Sequence, residues 1–233
     1  MALINLRQET GVEWSLGRLS MNAAKTFMFA FCPYARRGIK EMETKMSDKQ
    51  SFWVFETDLG WLGVVWNGQA VTRLFMAEKE AAAIRRRIAR FDADAISVEP
   101  TSQPAFVRKA IEGLVAYAAG EAVDFSQTPV VAGDVGPMRE AIYAALRSVD
   151  RGAVVTYGEL AALAGYPGMA REIGEAMGKN PTPIIVPCHR VVAAGGKIGG
   201  FSAPGGAHTK EKLLALEGVQ IGPPPSAQSA FAF

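Results

Sequence analysis

The 233-residue sequence is poor in the residues that build metal sites and disulfide frameworks. It holds two cysteines, Cys32 and Cys188, and two histidines, His189 and His208. Four such side chains make no convincing structural zinc site, and two cysteines make no disulfide scaffold. No metal and no cofactor is expected. Neither sign of charge dominates: 25 Lys and Arg stand against 23 Asp and Glu, a net of +2, too balanced for coating nucleic acid by charge alone. No apolar run approaches the ~18 residues of a spanning helix. The longest near the start, residues 26–32, ends in Cys32-Pro33 without a small-residue cleavage site. The expectation is a cytoplasmic protein with no membrane partner. What is plentiful is ordinary core material. With 49% hydrophobic and 21% charged residues, the chain is neither a disordered tail nor a fibre, and its length fits one domain or two small ones.

Residues 1–45 show no firm periodicity and read as an N-terminal extension that the fold does not need. The pattern becomes orderly after Met46. Residues 52–57, 61–66 and 71–76 are strand-like, separated by Asp58-Leu59-Gly60 and by Asn67-Gly68. Asn-Gly predicts a two-residue hairpin turn with positive φ at both positions, and hence an antiparallel meander. A helix over 77–91 follows, whose Arg85, Arg86 and Arg87 read as a solvated face. A second helix over 104–119 puts Phe106, Ala110, Leu114 and Tyr117 on one stripe and stops at Gly120. Residues 46–133 are therefore expected to form a small α+β domain without chemistry of its own.

The turn-rich stretch 123–136 marks a boundary, and 134–222 reads as a mainly helical second domain. Helices are expected over 138–149, 157–164, 170–178 and 208–217. The second and third of these flank Gly165-Tyr166-Pro167-Gly168 with the spacing of a helix-turn-helix, which simple packing of two helices also produces. Residues 223–233 open with Pro223-Pro224-Pro225 and read as a disordered tail.

The informative stretch runs from Asn180 to Val192. Proline at 181, 183 and 187 fixes φ and removes backbone donors, which predicts a rigid extended loop that displays Cys188. Cys32 has no polar neighbour of interest and reads as a small buried hydrophobe. Cys188 is different because an ionisable base adjoins it. A thiol attacks only as thiolate, and an imidazole can take its proton directly or through a water. Neighbours in sequence often point to opposite sides, so adjacency alone is a moderate signal.

Pro187-Cys188-His189-Arg190-Val191-Val192 resembles the active-site signature of the O6-alkylguanine-DNA alkyltransferases, also called methylated-DNA–protein-cysteine methyltransferases. The resemblance extends through Thr156-Tyr157, the paired short helices, Asn180-Pro181, the glycine-rich residues 195–200 and Leu213-Leu214-Ala215-Leu216-Glu217-Gly218. It covers 138–218 closely and 52–120 only in outline. It implies an α+β protein: a small N-terminal domain, ribonuclease-H-like in the family, and a winged-helix-like alkyltransferase domain with a helix-turn-helix. It also implies irreversible transfer of an alkyl group from O6-alkylguanine in double-stranded DNA to Cys188, by a monomer that flips the base out through the minor groove. O4-alkylthymine is left open as a second substrate.

By the same resemblance, His189 is the water-mediated base, Glu217 orients it, and Tyr157 donates its proton to the leaving purine. Asn180 ties the helix pair to the active-site loop. Arg171 is the finger that fills the vacated stack, with Ala170 and Gly174 small enough for close approach to DNA. Met177, Phe201 and Ser202 line the base pocket, and the carbonyls of Cys188 and Val191 meet the guanine amine. Phe201 stands where many relatives have tyrosine, residues 202–206 are longer than the matching loop of some relatives, and the zinc ligands of some N-terminal domains are absent. Two other readings stand beside this one. A non-catalytic lesion binder would keep the DNA surface but replace the cysteine, and a Cys-His thiol hydrolase would leave Tyr157 and Arg171 unexplained.

Overall fold

Alternation along the meander decides what each face of the sheet meets. The structure, a computed structural model, describes residues 49–131 and 135–221. Strands β1 (Ser51–Thr57), β2 (Gly60–Trp66) and β3 (Val71–Glu78) pair antiparallel, and a short β4 (Ile96–Ser97) joins β1 in parallel, giving the order β3-β2-β1-β4. Side chains two apart share a face. Leu62, Val64 and Trp66 of β2 therefore lie with Leu74 and Met76 of β3, while Val65 lies with Val54 and Phe75 on the other side. Helix α1 (Ala81–Phe91) covers the Val65 face through Ile84 and Ile88. Helix α2 (Ala105–Ala118) covers the Leu62 face through Val107, Ala110, Leu114 and Tyr117.

The hairpin turns differ from expectation. Asn67 and Gly68 do not take positive φ. Asn67 Oδ1 instead accepts from the backbone N–H of Gln69 and Ala70, and Asn67 N–H donates to Ala70 O, so the connection is a four-residue loop held by an Asx turn. The tight reversal is the first one, where Thr57 pairs with Gly60 across two residues and Gly60 takes φ +95°. Helix α1 begins at Ala81, not at 77, because β3 continues pairing to Glu78 opposite Trp61. Arg85 and Arg86 are exposed as expected, whereas Arg87 is half-buried and paired with Glu78 at 3.0 Å.

Four further helices follow: α3 (Pro137–Arg147), α4 (Tyr157–Leu163), α5 (Ala170–Gly178) and α6 (Gly206–Leu216). The first three share a second apolar cluster built from Ile142, Leu146, Leu160, Ile173 and Met177, whereas α6 packs Leu213 into the cluster under the sheet. Tyr143 ties α3 to α5 by donating to Ala176 O at 2.9 Å. A short parallel pair, β5 (Val155–Thr156) and β6 (Val191–Val192), sets Val155 against Val191. Mixed α/β architecture is therefore observed. The domain boundary expected at 133/134 falls within residues 132–134, outside the described residues. The extension 1–45, Cys32 and the tail 223–233 also lie outside them. No helix among the described residues is long and apolar enough to cross a membrane.

Candidate active site

The loop that carries Cys188 is held between the two apolar clusters. Ile184 and Ile185 pack into the first, with the sheet and α2, whereas Val186, Cys188 and Val191 pack into the second. The edge of the sheet also reaches it, since Leu74 N–H donates to Pro181 O at 2.8 Å. Ile184 is the one non-glycine with positive φ among the described residues, at 71°. A β-branched residue there costs on the order of 1–3 kcal/mol, offset by burial of its side chain. Asn180, just after α5, closes the loop: its Nδ2–H donates to Val186 O at 2.8 Å, and its Oδ1 accepts from Thr182 N–H at 3.1 Å.

Two features of the expected loop are corrected. Cys188–Arg190 is a turn of 3-10 helix, not extended chain, with Arg190 N–H donating to Pro187 O. Cys188 is also not displayed, being only 5% exposed. The prolines stiffen the approach, but the apolar cluster takes the thiol inward. Burial pushes the Cys188 thiol up from its ordinary value, against the pull of Asn180, Lys210 and nearby backbone N–H groups. The resting group is therefore a thiol, and it needs a base.

His189 is fully buried, and burial lowers its pKa, so the imidazole is neutral despite the opposing influence of Glu217. Its Nε2–H donates to Glu217 Oε1 at 2.8 Å. That bond fixes the tautomer and leaves Nδ1 as the lone-pair nitrogen, which has no protein partner. Glu217 sits at the C-cap of α6. Burial alone would raise its pKa, but the hydrogen bonds from His189 and Arg190, together with the Arg190 charge, hold the carboxyl well below the usual range. Arg190 grips it with both ends of the fork, Nε to Oε2 at 2.8 Å and Nη2 to Oε1 at 2.9 Å, and also donates to Val149 O.

A cavity of about 230 Å³ opens beside Cys188 and is lined by Tyr157, Gly174, Met177, Gly178, Gly200, Phe201 and Ser202. That is below the roughly 300–1,000 Å³ of a drug-sized site and suits a single flat ring system. Tyr157 is placed there by the β5–β6 pair and by a capping box, in which Thr156 accepts from Glu159 N–H and Glu159 accepts from Thr156 N–H. Burial and the neighbouring Cys188 raise the Tyr157 phenol, so it remains a proton donor. Val191 is fully buried but does not line this cavity. Ala170 and Arg171 are exposed at the start of α5, next to the exposed Met169, and do not line the cavity. A larger cavity of about 330 Å³ touches Arg147, Arg151 and Arg190 but not Cys188. Among the described residues, no three His, Cys, Asp or Glu side chains cluster so as to hold a metal.

Three residues of this site have no role in the sequence reading. Arg190 lies inside the quoted motif, so the motif itself was the available signal. Lys210 is wholly buried, its ammonium donating to the carbonyls of Val191 and Gly200, and desolvation pushes it down to about 8. Tyr117, expected only as core, reaches both members of the buried pair: its O–H donates to Glu217 Oε1 at 2.9 Å and lies 3.2 Å from His189 Nε2.

Comparison with known proteins points to a single family. The family described as 6-O-methylguanine DNA methyltransferase, DNA binding domain, matches residues 137–219. A rat methylated-DNA–protein-cysteine methyltransferase is 49% identical over 88 residues, 38% of this chain and 42% of that protein. The chain thus covers about two-fifths of that relative's length. A relative of the same name from Methanothermobacter thermautotrophicus is 30% identical over 160 residues, 69% of this chain and 81% of that protein. The crystal structure of Mycobacterium tuberculosis OGT in complex with DNA is similar with a TM-score of 0.56 at 31% identity, covering 72% of this chain and 93% of that one.

Proposed function

The chain belongs to the methylated-DNA–protein-cysteine methyltransferase family, and from that premise we propose that it repairs O6-alkylguanine in DNA by moving the alkyl group onto Cys188. The observation that carries this reading is the buried Cys188 at the wall of a base-sized cavity, beside a neutral imidazole whose tautomer Glu217 fixes. The DNA-bound mycobacterial relative supports DNA as the partner. Cys188 itself argues against the lesion-binder alternative.

The reaction needs no group beyond the chain's own. His189 Nδ1 takes the thiol proton through a water, and the thiolate attacks the alkyl carbon in line. The C–S bond forms as the C–O6 bond breaks, its electron pair passing into the purine. Tyr157 protonates the purine, and the imidazolium proton returns to the phenolate through solvent. The product thioether is not an acyl intermediate open to hydrolysis, so each molecule acts once. Helices α4 and α5 serve as a helix-turn-helix in the minor groove, where Arg171 fills the stack left by the flipped nucleotide and Ala170 and Gly174 allow close approach. Met177, Phe201 and Ser202 hold the base, and Asn180 keeps the loop in register with α5. The Val191 carbonyl, already bonded to Lys210, retains a second lone pair for the guanine amine. The finer architecture is ribonuclease-H-like in the N-terminal part and winged-helix-like in the second, working as a cytoplasmic monomer.

Intact-mass spectrometry after incubation with duplex DNA containing O6-methylguanine tests the proposal. One methyl group on Cys188, absent in Cys188→Ala, is expected. Turnover beyond one methyl per molecule, or no adduct, would overturn it.

A further inference from the structure

Glu217 Oε1 gathers three donors, and one of them does not belong to the motif around Cys188. His189 Nε2 and Arg190 Nη2 come from the active-site turn, but the third donor, Tyr117 O–H, comes from α2, 72 residues before His189. Resting on the alkyl-transfer reading above, we propose that Tyr117 is a positioning residue for that reaction: its hydroxyl holds Glu217 and keeps the His189 imidazole neutral and fixed for the Cys188 proton. The N-terminal α+β part therefore contributes to the chemistry.

The phenol is 2% exposed, and its ring meets Phe125 edge-on at 6.2 Å, so the hydroxyl has little freedom to point elsewhere. Burial and the Glu217 charge push its pKa far up, which keeps it a donor at every working pH. Arg151 reinforces the alignment. Its guanidinium donates to the carbonyls of Gly120 and Glu121, just past α2, and of Leu216, the last residue of α6. One side chain thus holds together the ends of the two helices that present Tyr117 and Glu217.

The electrostatic consequence has a definite direction. Each donor on Oε1 takes up part of the carboxylate's charge and weakens its pull on the imidazole N–H. Without the phenol, Glu217 attracts a proton onto His189 more strongly. Nδ1 is then protonated at a higher pH and cannot accept the thiol proton. The other charged groups facing this pair are Arg190 and Lys210, with Arg151 beside the phenol, and none of them is a neutral donor to Oε1.

The test is Tyr117→Phe, which keeps the ring and removes the hydroxyl. The rate of alkyl transfer from free O6-benzylguanine is followed against pH, so DNA binding does not enter. We expect a fall of about tenfold near pH 7, as for a lost hydrogen bond to a charged group. The acid limb of the profile should move up by about half a pH unit or more. Tyr117→3-fluorotyrosine, a stronger donor, should move that limb down. A folded Tyr117→Phe protein with an unmoved acid limb would overturn the proposal even if its rate fell. If Tyr117→Phe does not fold, an unmoved limb in the fluorinated protein would overturn it. Absence of any adduct in the unaltered protein would instead overturn the alkyl-transfer reading itself.

Discussion

At the scale of single residues, Glu217 concentrates the largest risk to stability. Its side chain has no exposed surface and accepts from His189, Arg190 and Tyr117. Glu217→Gln keeps the shape but leaves the buried Arg190 guanidinium without its counter-charge. Breaking one side of a buried ion pair costs roughly 3–5 kcal/mol, so the urea midpoint of Glu217→Gln should fall accordingly. A loss below ~1 kcal/mol would mean that water reaches the pair. Cys188 and His189 were legible in the sequence because cysteine and histidine are scarce and stand side by side, whereas Glu217 was legible only through the family resemblance of residues 213–218. Lys210 was not legible, because a lysine on a helix reads as surface until the fold brings the Val191 and Gly200 carbonyls over it. Tyr117 sat on a regular apolar stripe, and nothing in a stripe shows that one hydroxyl meets a carboxylate 100 residues away.

At the scale of elements, β2 and α1 meet through a glycine. A Cβ on Gly63 would lie 2.4 Å from Ile84 Cγ2 and 3.1 Å from Ile88 Cδ1, and both isoleucines are buried. Gly63→Ala should therefore overpack this contact and destabilise by about 1–3 kcal/mol, read from chemical denaturation. Activity per folded molecule should be unchanged, because the contact lies on the sheet face away from α2. A different outcome is expected from α5. Arg171→Ala should slow repair of duplex DNA strongly and reaction with free O6-benzylguanine little, since a free base needs no extrusion. Equal losses on both substrates would refute the finger role. The three long strands and the helices were legible from periodicity, with ends displaced by a few residues, but the two-residue strands β4, β5 and β6 are too short to leave a period. The failures have local causes. At Asn67-Gly68 the asparagine side chain satisfies the backbone, which removes the need for positive φ. Around Cys188 the prolines gave no sign that the apolar cluster would bury the thiol.

At the scale of the whole molecule, the loop from Pro181 to Val192 joins the two apolar clusters, so the chemistry of the site and the stability of the fold share the same buried charges. Their titration gives stability a definite pH dependence. His189 has its pKa lowered from an ordinary 6.5, so the unfolded chain takes up a proton below that value while the folded protein resists it. The unfolded state then binds more protons, and stability declines as pH falls through 6.5. Glu217 acts in the same direction at lower pH. Its folded pKa lies below an ordinary 4.5, so its contribution is present above 4.5 and is lost progressively as pH drops beneath it. Urea midpoints measured from pH 8 to pH 2 should therefore fall in two stages, each with a slope of at most ~1.4 kcal/mol per pH unit from a single group. His189→Gln should remove the first stage and keep the second. If the first stage persists in that variant, the decline belongs to another group, and the buried neutral imidazole is not what links this site to the acid stability of the protein.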